Sequence, residues 1–172
     1  MKKVTTFFLS VVLAFSFIFN IYTPINAGTS DEYRILFLSS YSYAWDTVQI
    51  QIEGIKEGIT DDIVLDYEFM DTKRFPDAES IEVFYEGLAY RMTHVEPYDA
   101  LIVGDDAALR FAIAHRDDIF KDMPIIFEGI NDIEYASELS KDPLITGVVE
   151  ALSMQKNIDF GLSLYPDADT VI

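Results

Sequence analysis

From Tyr33 onward, short continuous apolar runs alternate with longer stretches whose apolar residues recur every three or four positions. That is the pattern of strand and helix in turn, which builds βαβ units and a parallel sheet. Arg34-Ile35-Leu36-Phe37-Leu38-Ser39 is apolar at consecutive positions, as in a strand covered on both faces, and reads as the central first strand. Val48, Ile52, Ile55 and Ile59 form a helical stripe, with Asp46 or Thr47 as its amino-terminal cap. In Ile63 to Phe69, Val64, Asp66 and Glu68 alternate with Leu65, Tyr67 and Phe69, which predicts a strand nearer an edge with one wetter face. Asp77 or Ser80 opens a helix through Ile81, Phe84, Tyr85, Leu88 and Met92 that stops before Pro97. A strand at Ala100 to Val103, a helix from Asp106 to Phe120, a strand at Pro124 to Phe127, a short helix from Ile133 to Leu139 and a strand at Ile145 to Val149 follow. A last helix, Ser153 to Tyr165, leads to Thr170-Val171-Ile172, which reads as the opening of another strand. A strand stub of that kind needs a sheet to join, so the chain is expected to be the front part of a larger polypeptide. The expected fold class is α/β, a three-layer parallel sheet with helices on both faces, Rossmann-like.

The chain before Tyr33 has a different pattern. Lys2 and Lys3 precede an almost unbroken apolar run from Val4 to Tyr22, the form of an export signal. Ala27 offers a small residue for cleavage, which would leave residues 28–172 as the exported α/β lobe. Uncleaved, Val4 to Tyr22 is close to the roughly 20 residues that cross a bilayer as a helix, so residues 4–22 could serve as a membrane anchor.

Composition narrows the function. The formal charge is −18 at pH 7, and removal of residues 1–27 takes Lys2 and Lys3 but no acid, which makes it −20. Such a surface repels phosphate backbones and argues against nucleic acid as a partner. There is no cysteine, which excludes disulfides, thiolate metal sites, cysteine nucleophiles and the lipid-bearing cysteine of a lipoprotein. His94 and His115 are the two histidines; their spacing suits no shared metal, and both read as surface residues.

In open parallel sheets, ligands bind beyond the carboxyl ends of the strands. After the first strand stand Ser39, Ser40, Tyr41, Ser42, Tyr43, Ala44 and Trp45, hydroxyls and aromatics on one loop that suit a ring-bearing or amphipathic solute. After the third stand Gly104, Asp105 and Asp106, a pair of acids that either caps a helix or grips an amine or hydroxyl. Glu128, Gly129, Ile130, Asn131 and Asp132 follow the fourth strand, and Glu150 the fifth. The loop Ser39 to Asp46 has no glycine with which to cradle a phosphate and lacks the acid pair of a receiver domain. No cofactor is implied. A secreted α/β enzyme, with Asp105 and Asp106 around a magnesium ion, is the alternative from another class.

The runs Ile35 to Tyr41, Glu68 to Phe75 and Tyr98 to Leu109, followed by Pro124-Ile125-Ile126-Phe127, Gly129-Ile130-Asn131-Asp132 and Thr146-Gly147-Val148-Val149-Glu150, resemble the first lobe of ABC-transporter substrate-binding proteins of the type I periplasmic-binding-protein fold. The Met70-Asp71-Thr72-Lys73-Arg74-Phe75 run and the Gly147 to Glu150 ending are most similar to the versions that serve as extracytoplasmic input domains of histidine kinases and diguanylate cyclases. This resemblance implies a solute-binding lobe, with a membrane permease or downstream signalling domains as partner. It implies that Ser40, Tyr41, Asp105, Asp106, Asn131 and Asp132 face the cleft, with Trp45 and Glu150 beside them. An amino acid, an aromatic compound or a sugar is the expected ligand.

Overall fold

The computed structural model of the protein describes residues 32–151 and 153–170. The expected signal at residues 1–27 lies outside them, as do Val171 and Ile172 of the expected final strand; Thr170 is in no regular element. Among the described residues, no helix is long and apolar enough to cross a membrane.

Five strands, β1 (Tyr33–Ser39), β2 (Ile63–Phe69), β3 (Ala100–Gly104), β4 (Ile125–Ile130) and β5 (Ile145–Val149), form one parallel sheet in the order β2-β1-β3-β4-β5. The helices are α1 (Asp46–Gly58), α2 (Ala78–Met92), α3 (Asp105–Ala114), α4 (Ile133–Leu139) and α5 (Met154–Leu164). The centre of the sheet is β3, not β1 as the apolar run had suggested. Continuous hydrophobicity reports cover on both faces, and β1, flanked by β2 and β3, has that cover without being central. The alternating β2 is an edge strand, as its pattern predicts, and β5 is the other. The polar positions of β2 are used at its edge, where Asp66 accepts hydrogen bonds from Arg34 (2.6 Å) and Tyr98 (2.9 Å), and Glu68 accepts two from Arg91.

The two faces of the sheet carry separate cores. Leu36 and Leu38 of β1, Leu101 and Val103 of β3 and Ile125 and Phe127 of β4 pack with Leu88 of α2, Leu109 and Phe111 of α3 and Ala136 of α4. On the other face, Phe37, Leu65, Tyr67, Phe69 and Ile102 meet Val48, Ile52 and Ile55 of α1. Helices therefore cover both faces, and the fold is the three-layer, Rossmann-like α/β arrangement. Helix α5 has no buried residue.

Three local expectations change. Neither Asp46 nor Thr47 caps α1: Trp45 holds the cap position in extended backbone, no side chain caps it, and Asp46 is already helical. By contrast Asp77 caps α2, accepting from the Ser80 amide at 2.9 Å. Helix α3 stops at Ala114, six residues short of the expected Phe120. Asp117 and Asp118 would there have added negative charge at the carboxyl end of the helix, where the helix dipole disfavours it. The turn that replaces it lets Asp118 accept from the Tyr85 hydroxyl at 2.8 Å and still buries Phe120 completely. Strand β4 begins one residue after Pro124, which has no amide hydrogen for the ladder, and runs three residues past Phe127. Its register with β5 shifts between Phe127 and Ile130, where Gly129 has φ 66°, a conformation that costs glycine little. Glu128 and Gly129 are thus strand residues at an irregularity, not loop residues.

Candidate functional site

Register brings Ser39, Phe69, Gly104 and Glu128 into one row across the carboxyl edge of the sheet. The loops that leave this row are tied together by backbone and hydroxyl groups. Ser40 is fully buried; its hydroxyl donates to the Gly104 carbonyl and accepts from the Ala108 amide of α3, both at 2.8 Å. The Ser40 carbonyl accepts from the amide and the hydroxyl of Thr72, both at 2.9 Å. Ser40 therefore joins the loops after β1, β2 and β3, and it does not face a cleft as the resemblance implied. Ser40→Ala leaves the Ala108 amide without this acceptor. It is expected to lower stability by about 1 kcal/mol in urea unfolding, the net worth of a typical hydrogen bond.

The acid pair divides. Asp106 accepts from the Asn131 amide and side chain (3.2 Å each) and from the Asp132 amide (3.1 Å), which holds the β4–α4 loop against α3. Asp132 caps α4 through the Tyr135 amide at 3.1 Å and pairs with Arg110. Asp106, Asn131 and Asp132, expected to face the cleft, are therefore joined to one another and to α3 and α4. Asp105 points elsewhere. Its φ of 70° is a left-handed backbone that only glycine, asparagine and aspartate adopt with any frequency. Its carboxylate accepts from Gln51 Nε2 of α1 at 3.4 Å, whereas the partners of Asp106 belong to the β4–α4 loop. Gly104 precedes α3 in extended backbone without a side-chain cap, so neither acid has the capping role.

Around Asp105 gather groups from every part of the edge. A Cβ added at Gly129 would lie 3.5 Å from Gln51 Nε2 and 3.7 Å from Asp105 Oδ1, so the bare glycine backbone borders both. Glu128 is half-buried, with Oε1 sealed from solvent and unpaired; Gln51 Oε1 is likewise sealed and unpaired. A buried acceptor without a donor costs about 1–3 kcal/mol, so both oxygens are unusual. Burial raises the Asp105 carboxyl above its ordinary value; Glu150 and Asp106 push it further, while the Gln51 hydrogen bond and Lys73 oppose the rise. Burial, then the charge of Asp105, raises Glu128.

An aromatic shelf lies beside these acids. The rings of Tyr41, partly buried, and Trp45, 45% exposed, are 6.2 Å apart, and Lys73 Nζ sits 4.5 Å from the first and 5.9 Å from the second. Burial, then Asp105, raises the Tyr41 hydroxyl, with Lys73 opposing. Of the eight residues expected to bind, Tyr41, Trp45, Asp105 and the exposed Glu150 belong to this group, and Ser40, Asp106, Asn131 and Asp132 build its frame.

Gln51 and Lys73 complete the group but were not among the expected residues, and Glu128, named only as a strand-end acid, joins them. Gln51 stands three positions after Val48, a polar residue within an apolar stripe. Glu128 stands two after Ile126, where the face pattern asks for a hydrophobic residue. Lys73 follows the end of β2, a loop the strand-end rule covers. Each signal was present in the sequence and was weak on its own. Among the described residues, no three acidic or histidine side chains form a group suited to a metal.

No family model and no curated protein matches this chain. A solved structure, the ABC domain from Streptococcus pneumonia in complex with L-Trp, is similar at 19% identity and a TM-score of 0.48, covering 69% of this chain and 38% of that one. The chain thus spans well under half the length of that protein.

Proposed function

We propose that this chain is an extracytoplasmic solute-binding lobe that takes a small organic molecule at the carboxyl edge of its sheet. The observation that carries the reading is the convergence of Tyr41, Trp45, Gln51, Lys73, Asp105 and Glu128, from four strand ends and one helix, with two buried acceptors left unpaired. Binding sites combine flat apolar contact with a few placed polar groups, and most buried polar atoms of a fold are paired. The export signal in the sequence supports placement outside the cytoplasm.

Two roles fit this lobe: the substrate-binding component of an ABC transporter, and the sensory input of a membrane histidine kinase or diguanylate cyclase. The absence of a lipid-bearing cysteine and the anchor-length apolar run at residues 4–22 favour the sensory role. A kinase or cyclase domain in the same polypeptide would support it; an adjacent permease gene would support transport.

A thermal-shift screen of the chain against amines, amino acids, aromatic acids and sugars tests the binding reading itself. At least one class is expected to raise the melting temperature in a concentration-dependent way. No shift with any class, at concentrations up to the millimolar range, would count against solute binding.

A further inference from the structure

We infer, resting on the solute-binding reading, that the ligand is a small organic monocation: a protonated amine held by Asp105 and Glu128, with a planar apolar group laid on Tyr41 and Trp45. The first support is the balance of donors and acceptors. Two acceptor oxygens, Gln51 Oε1 and Glu128 Oε1, have no donor, while Gln51 Nε2 is already given to Asp105. Glu128 is only half-buried, so its carboxylate also has an open side from which a donor can approach. What the site lacks is a donor, and an ammonium brings three.

Charge points the same way. Asp105 has Glu150 and Asp106 as neighbouring negative charges against Lys73 as the opposing cation, and Glu128 in turn feels the charge of Asp105. A carboxylate ligand would enter against that surplus. A sugar needs acceptors and donors in comparable number, and the donors here are committed or exposed.

The shelf is the third and independent observation, because it already holds a cation. Lys73 Nζ lies within cation–π reach of both rings, so their faces are placed to receive positive charge. In this reading Lys73 rests on the shelf in the empty protein and gives way to the ligand.

Trp45 is the single tryptophan of the chain, so its fluorescence reports the shelf directly. Phenethylamine, phenylalanine, phenylacetate, butylamine and glucose would be titrated into the full chain, with calorimetry in parallel. Phenethylamine is expected to change Trp45 emission and bind at least 10-fold more tightly than phenylalanine or phenylacetate, and butylamine more weakly for want of a ring. Asp105→Asn and Glu128→Gln are each expected to weaken phenethylamine about 10-fold, one charged contact's worth. Lys73→Met, which removes the resident cation from an exposed position, is expected to strengthen it several-fold. Tighter binding of phenylalanine, phenylacetate or glucose, or loss of phenethylamine binding in Lys73→Met, would overturn the monocation while leaving solute binding intact. Silence toward all five probes, with no thermal shift from any solute class, would remove the parent reading together with this one.

Discussion

Phe37→Ala is expected to lower the stability of the chain by about 3–5 kcal/mol, the cost of removing a large aromatic side chain from a packed core. Phe37 is fully buried on the α1 face of β1, against Val48 and Ile52, with Tyr41, Leu65, Tyr67 and Ile102 packed around it. That core is small. Only Phe37, Val48 and Ile52 are buried in it, whereas the opposite face joins residues from β1, β3, β4 and β5 with three helices. Its few partners leave little material to collapse into the cavity, which favours the upper part of the range. The ring also supports the site. A Cβ at Gly104 would stand 3.1 Å from Phe37 Cζ and 3.6 Å from Gln51 Oε1, so the ring underlies the glycine that leads into Asp105. Urea unfolding followed by circular dichroism measures the loss, and Phe37→Leu separates volume from shape. A loss under 1 kcal/mol for Phe37→Ala would show that α1 does not pack on β1 as described.

The double change Asp105→Asn with Glu128→Gln is expected to raise stability by about 1–2 kcal/mol near neutral pH while it weakens ligand binding, the trade found where a site is kept against the interest of the fold. Both replacements keep shape, and asparagine tolerates the left-handed backbone at position 105. The sign follows from the direction of the shifts. Burial raises both carboxyls in the folded state, so the fold holds their protons more tightly than the unfolded chain does. The stability associated with the protonated groups is fully present below the ordinary carboxylate range and is lost as pH rises through the raised values. Native and doubly neutral proteins should therefore be nearly alike at about pH 3 and diverge upward toward pH 7, with the variant the more stable. Both groups remain partly open to solvent, which screens the effect and keeps it to the stated size. Asp77, Asp118 and Asp142, whose carboxyls are lowered mainly by hydrogen bonds to Ser80, Tyr85 and Arg116, titrate in both proteins and cancel in the comparison. A difference that stays constant across this range, or a less stable variant, would show that these acids are structural members of the fold.

What the linear chain determined was the alternation of elements and their faces. Continuous apolar runs, stripes at spacings of three and four, and the alternation in β2 depend only on whether each residue meets water, and that is legible one residue at a time. It gave the parallel α/β class, the edge position of β2, the bounds of α4 and β5, and the rule that places binding groups beyond the strand ends. Only the tertiary structure decided which strand is central, because cover on both faces reads the same at β1 as at β3. It also decided where α3 stops and how far β4 runs, since those ends are set by Asp118 reaching Tyr85 and by a register shift at Gly129, both long-range events. The site shows the same division. Asp105 and Asp106 are adjacent and chemically identical in sequence, yet a single positive φ sends one toward Gln51 and leaves the other to hold the β4–α4 loop. Aspartate tolerates that angle, but two adjacent aspartates carry no mark in the sequence of which one takes it.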